Sequence, residues 1–260
     1  MIVRDCSSHF LLVTQHEHAK VSGEIATVWD RTFFYGLNQW SSVMYAIEHH
    51  DASWLPLDDQ PLWNEVKQAP YSFMDYPINE KLTAYKGGID ALERDDRYAA
   101  LLCSCHYTSF FDDVKQLGGL SRQFLIHEQQ RQQQLIRELK REREVDTKNF
   151  HFHFDLLQFC DNLSLYICLH EPGTKKENEV SWFRSGFPQQ FSFFNQRRVV
   201  AHWLDTTEVS LSPFPLKDRL MVSIEGKEVN KEAIREVGLE QAYRDAPNRC
   251  LVVRLVPGDT

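Results

Sequence analysis

The sequence predicts a mainly α fold, with a helical core over residues 1–170 behind a short extended segment and a small β-rich unit over residues 171–260 packed on that core. Three observations predict it. Between Thr14 and His170, apolar residues recur at helical spacing in one stretch after another. After Pro172-Gly173 the segments become short, β-branched or alternating, and are divided by Pro, Gly and Asn turns. A chain of 260 residues with 42% hydrophobic and 12% aromatic content can bury one substantial core, or a core with a small appended unit.

Residues 2–13 are aliphatic and β-branched with a polar break from Asp5 to His9, which predicts two short extended pieces that could add strands to the C-terminal unit. Thr14-Gln15-His16-Glu17 has the form of a capping box and opens a helix. Along it His18, Ser22, Ile25 and Trp29 share one face, so His18 points where the apolar residues point, whereas His16 lies about 160° away. Ser41 or Ser42 can cap the next helix, on which Val43, Ala46 and Ile47 share a face with His50, and Asp51 follows at once. The Pro-punctuated stretch 54–76 holds Trp54, Trp63, Tyr71, Phe73 and Tyr76. It is read as core packing or as a cover over a site.

Residues 79–117 read as two helices broken near Gly87-Gly88, the second with Ala99, Leu102, Cys103, His106 and Phe110 in a stripe. A Gln-, Arg- and Glu-rich amphipathic helix follows from Ser121 to about Glu144, its outer face solvated or in contact with a second copy in a homodimer. From Phe152 to His170 the helix is strongly apolar, with Leu157, Asp161, Ser164, Leu165 and Cys168 on one side. Strand segments are expected at 198–203, 208–211, 220–224 and 250–256, with one helix near 230–243.

Composition excludes several classes of function. A formal charge of −8, with only small basic clusters such as Arg197/Arg198, gives no long-range attraction for a nucleic-acid backbone. No run approaches the roughly 20 apolar residues of a membrane span, and the start of the chain lacks a signal-peptide layout, so no membrane partner and a cytoplasmic location are expected. The six cysteines form no CxxC pair, which points to reduced thiols and away from a zinc ribbon.

The polar residues on buried faces are His18, His50, Asp51, His106 and Asp161. Burying any of them unpaired costs on the order of several kcal/mol, so each needs a hydrogen bond, an ion pair or a metal. For His18 or His106 alone, a hydrogen bond to a backbone carbonyl satisfies the need; for Asp161, an ion pair with Arg122 or Arg184 would do so. Taken together, imidazoles and carboxylates are the mixture that holds Mn, Fe, Ni, Zn or Mg rather than a thiolate-bound ion.

The order His18, then His50-Asp51, then the distant Asp161 resembles the HD-domain superfamily of metal-dependent phosphohydrolases over residues 10–170. The phrases Thr14 to Ala19, Glu48 to Asp51 and Cys160 to Leu165 resemble more narrowly, over nearly the whole chain, a bacterial family of unknown function, DUF3891. The resemblance implies an HD-domain-like helical bundle in which His18, His50, Asp51 and Asp161 hold a divalent metal ion. It also implies that Asp51 bridges the ions if there are two, and that His106 ligates a second metal or contacts the phosphate of a small phosphorylated substrate. Asp51 is followed by Ala52-Ser53-Trp54, so the lysine often found after the dyad is missing. The expected activity is hydrolysis of a phosphate ester or nucleotide by metal-activated water. A di-iron oxygenase on the same scaffold and a non-catalytic binding domain are the alternatives.

Overall fold

Both ends of the chain meet in one sheet. The computed structural model describes residues 1–111, 118–142 and 147–258. In chain order they form β1 (Ile2–Asp5), β2 (His9–Val13), α1 (Gln15–Thr27), α2 (Trp40–His49), α3 (Leu55–Asp58), a β3–β4 ribbon (Trp63–Asn64 and Ala69–Pro70), α4 (Ile78–Asp95), α5 (Arg97–Thr108), α6 (Gly119–Arg141) and α7 (Thr147–Leu169). Then come β5 (Val200–Trp203), β6 (Glu208–Ser212), β7 (Leu220–Asn230), α8 (Lys231–Val237), α9 (Leu239–Asp245) and β8 (Asn248–Pro257). The sheet order is β1-β2-β7-β8-β6-β5, antiparallel throughout except for the parallel β6–β8 pair.

This corrects the expected mainly α bundle, HD-like in fold and all-helical at its core, with a small β unit behind it. The described residues are 53% helical, but the sheet is a large, curled, six-stranded mixed one that takes strands from both termini. Pairing of His9 with Asn230 and of Phe10 with Val229 joins residues more than 200 apart in sequence, and no local periodicity reports such a contact. The sheet is also part of the main core: Ile2, Leu11, Val13, Val209, Leu211, Val222, Ile224, Val253 and Leu255 belong to the same apolar cluster as the buried faces of the helices. Alternation along β2 divides its side chains between two cores. Leu11 and Val13 face the helices, whereas Phe10 and Leu12 pack with Val229, Ile234, Leu239 and Ala242 under α8 and α9.

Four helices, α1, α2, α5 and α7, pack on one another and form the scaffold of the candidate site. α1 is capped as its capping box predicts, Thr14 Oγ1 accepting from Glu17 N at 3.1 Å. α2 begins earlier than expected, at Trp40 with Gln39 as N-cap, because a short 3-10 turn at 37–39 runs straight into it and leaves Ser41 and Ser42 inside the helix. The expected break at Gly87-Gly88 is absent, and α4 runs through both residues. Gly88 is required there by packing: a Cβ would collide with the Cβ of Ser53. The break falls at Asp96, whose carboxylate accepts from Tyr98 N and Ala99 N at 2.8 and 2.9 Å and starts α5. Residues 112–117, expected as the end of that helix, lie outside the described residues, as does Glu144.

The aromatic stretch 54–76 is mostly core packing. Trp54 is buried against Tyr76 and Tyr85, and Trp63 meets Phe10 edge to face. Among the described residues, no helix is long and apolar enough to cross a membrane.

Candidate metal centre

The five singled-out residues come to one place from four parts of the scaffold. His18 lies in the first turns of α1, His50 and Asp51 just past the end of α2, His106 in α5 and Asp161 in the middle of α7. All are buried, with His18 and His50 at 0% exposure and Asp161 the most exposed at 7%. The helices approach closely enough for this because Gly23 faces α2: a Cβ there would stand 2.9 Å from the Cβ of Glu48.

His18 Nε2 is 2.9 Å from Asp51 Oδ2 and 3.9 Å from Asp161 Oδ1, and His50 Nε2 is 3.8 and 3.4 Å from the same two oxygens. His106 Nε2 lies 3.6 Å from the other Asp161 oxygen. Two triads have donor atoms within 4.8 Å of one another: His18, His50 and Asp51, and His50, His106 and Asp161. Donors about 2.1 Å from a common cation are separated by roughly 3.0 Å at right angles and 3.4 Å in a tetrahedron, so the observed spacings suit a small divalent ion. His50 is in both triads but offers one free nitrogen, because Nδ1 donates to Ile47 O at 2.7 Å. Its buried Nε2 makes no hydrogen bond among the described residues. An orphaned buried imidazole nitrogen facing two carboxylates is the arrangement a cation would complete.

Other side chains hold these donors in place. His18 Nδ1 is 2.8 Å from Ser164 Oγ, which bonds Ser22 Oγ at 2.8 Å and donates to Asp161 O at 2.9 Å. Ser164 anchors Nδ1 of His18 and so turns Nε2 toward Asp51 and the cluster. Tyr107 reaches across from α5, its hydroxyl 2.5 Å from His50 O and 3.3 Å from Asp51 Oδ1. Gln15 Nε2 donates to Asp51 Oδ2 at 2.9 Å.

The electrostatics follow from burial and charge. Burial alone would lower the pKa of His50, but Asp51 and Asp161 outweigh it and lift it to about 9. For Asp51, burial would raise the pKa, yet His50 and His18 hold the carboxylate down at about 2. Asp161 is likewise held below the ordinary range against its burial, chiefly by His50 and His106. At His106 burial wins and lowers the pKa to about 4, so that imidazole is neutral at pH 7.

Asp161 is therefore partnered by imidazoles; Arg184, one of its candidate ion-pair partners, gives its Nε to Glu179 O instead. His16 and His49, off the inferred faces, are half-buried and outside both triads. The cluster forms the floor of a cavity of about 480 Å³ lined in part by Asp51, His106 and Asp161. Its other lining residues include Gln15, Ser109, Gln158, Gln189, Phe73 and Trp182, and among the described residues no lysine or arginine lines it. Sequence reasoning missed Gln15 and Gln189 as lining residues. Gln15 shares a helix face with His18 three residues on, a signal read only as part of a capping box; Gln189 follows Pro188 in irregular chain, where no periodicity exists to report it.

A family described as a protein of unknown function (DUF3891) matches residues 1–231 of the chain. The chain belongs to the DUF3891 family. That DUF3891 match runs from before β1 into the start of α8, so it contains every residue of the cluster and of the cavity lining, and it leaves out α9 and β8. No curated protein and no solved structure matches the chain.

Proposed function

We propose that this DUF3891 member is a metal-dependent hydrolase acting on a phosphate ester, with His18, His50, Asp51 and Asp161 holding a divalent ion and His106 beside it. The observation that carries the reading is the set of donors from α1, the end of α2 and α7, spaced 2.9–3.9 Å apart, buried, and including the orphaned Nε2 of His50. The order of these residues along the chain, which resembles that of HD-domain phosphohydrolases, supports it further.

A bound divalent ion supplies a lowered pKa for a water it holds and neutralises charge on phosphoryl oxygens. The chain's own residues orient and desolvate. Ser164 and the Ile47 carbonyl fix the rings of His18 and His50, and Tyr107 fixes the turn that carries Asp51. Neutral His106 can donate one hydrogen bond to a phosphoryl oxygen from the Asp161 side of the cavity. Among the described residues no lysine or arginine lines the cavity, so the charge of a phosphate falls to the metal there.

The test is metal analysis of the purified chain, followed by a phosphatase screen with added Mn²⁺ or Ni²⁺. Expected are bound metal, metal-dependent turnover, and loss of at least a hundredfold in kcat in Asp51→Ala with an unchanged circular dichroism spectrum. A protein that takes up no metal and stays inactive after reconstitution would refute the reading. The second triad, with His106 as a third imidazole, favours one competing function, a di-iron oxygenase. Two irons per chain with a mixed-valence spectrum would select it.

A further inference from the structure

Two residues of the cavity wall, Gln15 and Gln189, 3% and 7% exposed, each carry a buried carbonyl oxygen, Oε1, that makes no hydrogen bond among the described residues. Which atom of each amide is the oxygen follows from its partners. Gln15 donates its Nε2 to Asp51 Oδ2 at 2.9 Å, so the atom toward the carboxylate is the NH₂ and the oxygen is the one without a partner.

For Gln189 the orientation is set by a relay. Ser109 spends its single hydroxyl proton on His106 O at 2.7 Å, so its oxygen can only accept from Gln158, at 3.2 Å. Gln158 therefore turns its oxygen to Gln189, which donates its NH₂ at 3.4 Å and keeps its own oxygen unpaired. Both glutamines of the cavity wall thus keep a fixed, unpaired acceptor, and an acceptor buried without a donor costs on the order of 1–3 kcal/mol.

The remaining lining completes a pattern. Trp182 and Phe110, 50% and 51% exposed, are large apolar side chains left open to solvent on this same cavity, and Phe73 joins them there. Fixed acceptors, carboxylates and aromatic faces, with no lysine or arginine among the described lining residues, suit a molecule that donates hydrogen bonds and has apolar C–H faces to stack. A phosphate group, which at neutral pH mainly accepts, cannot satisfy either glutamine.

We propose that the cavity recognises a neutral, polyhydroxylated small molecule, or that part of a phosphate ester, through hydroxyls donated to Gln15 Oε1 and Gln189 Oε1 and a ring face laid on Trp182. As a statement about substrate, it rests on the reading of the neighbouring cluster as a metal-dependent hydrolytic centre. The leaving alcohol of the ester then occupies the amide side of the cavity, and its phosphoryl group the His/Asp side.

Isothermal titration of the full-length chain, with and without Mn²⁺, against D-ribose, D-glucose, glycerol, cytidine and inorganic phosphate tests this. At least one hydroxylated probe is expected to bind in both conditions, and phosphate only with Mn²⁺. Gln189→Leu and the surface change Trp182→Ala should each weaken the hydroxylated probe at least tenfold while Mn²⁺ uptake stays at its wild-type stoichiometry. Binding of none of the four hydroxylated probes, or wild-type affinity for them in both variants, overturns the proposal. Hydroxylated probes binding to a chain that takes up no Mn²⁺ would instead overturn the metal reading alone.

Discussion

At His50 Nε2, the two carboxylates Asp51 and Asp161 have between them either a proton or a cation. With no metal added, the imidazole holds its proton to about pH 9, and Asp51 stays ionised down to about pH 2. Two consequences of opposite sign follow. Stability that the charged His50 contributes is fully present below its unfolded value of 6.5 and is lost as the pH rises through about 9. Metal binding needs the neutral ring, so uptake at pH 7 releases a proton and the apparent affinity rises with pH toward 9. Titrations with Mn²⁺ from pH 6 to 9 in buffers of different ionisation enthalpy should show about one proton released per ion and roughly tenfold tighter binding per pH unit. A pH-independent affinity would show that His50 is not a ligand. His106, already neutral, adds no proton to that count at pH 7.

At the scale of elements, the centre depends on how closely helices approach. α1 meets α2 through Gly23 against Glu48, and α4 meets the 52–54 turn through Gly88 against Ser53, whose hydroxyl bonds Tyr107. An added methyl at Gly88 meets the backbone and Cβ of Ser53, not a flexible tip, so neither side can yield cheaply. Gly88→Ala should therefore cost about 1–3 kcal/mol by chemical denaturation, although alanine is the better helix former by up to ~1 kcal/mol. Gly87→Ala makes the control, since a Cβ there meets nothing within 4 Å and should stabilise slightly. Equal effects of the two substitutions would show that packing at residue 88 does not limit the helix pair.

For the whole molecule, the sheet and the helices share one apolar core, and β2 has its partner β7 more than 200 residues away. A fragment ending at residue 170 would retain all five cluster residues but lose β7, leaving Leu11 and Val13 on a ribbon without its sheet. Such a fragment should unfold without a cooperative transition and bind Mn²⁺ at least a hundredfold more weakly than the full chain; cooperative unfolding with wild-type uptake would make the helices an independent unit. The amino-acid order by itself determined the inward faces of α1, α2, α5 and α7, with Asp51 directly after the second, and hence the five buried polar residues, because helical periodicity is local and survives without knowledge of the fold. Tertiary structure alone decided that β1 and β2 lie in the same sheet as the C-terminal strands and that the helix break falls at Asp96. It also decided that Gln15 and Gln189 face one cavity. Those features depend on strand pairing, close backbone approach and irregular chain, whose partners are set by packing across the molecule and leave no repeat in the sequence to read.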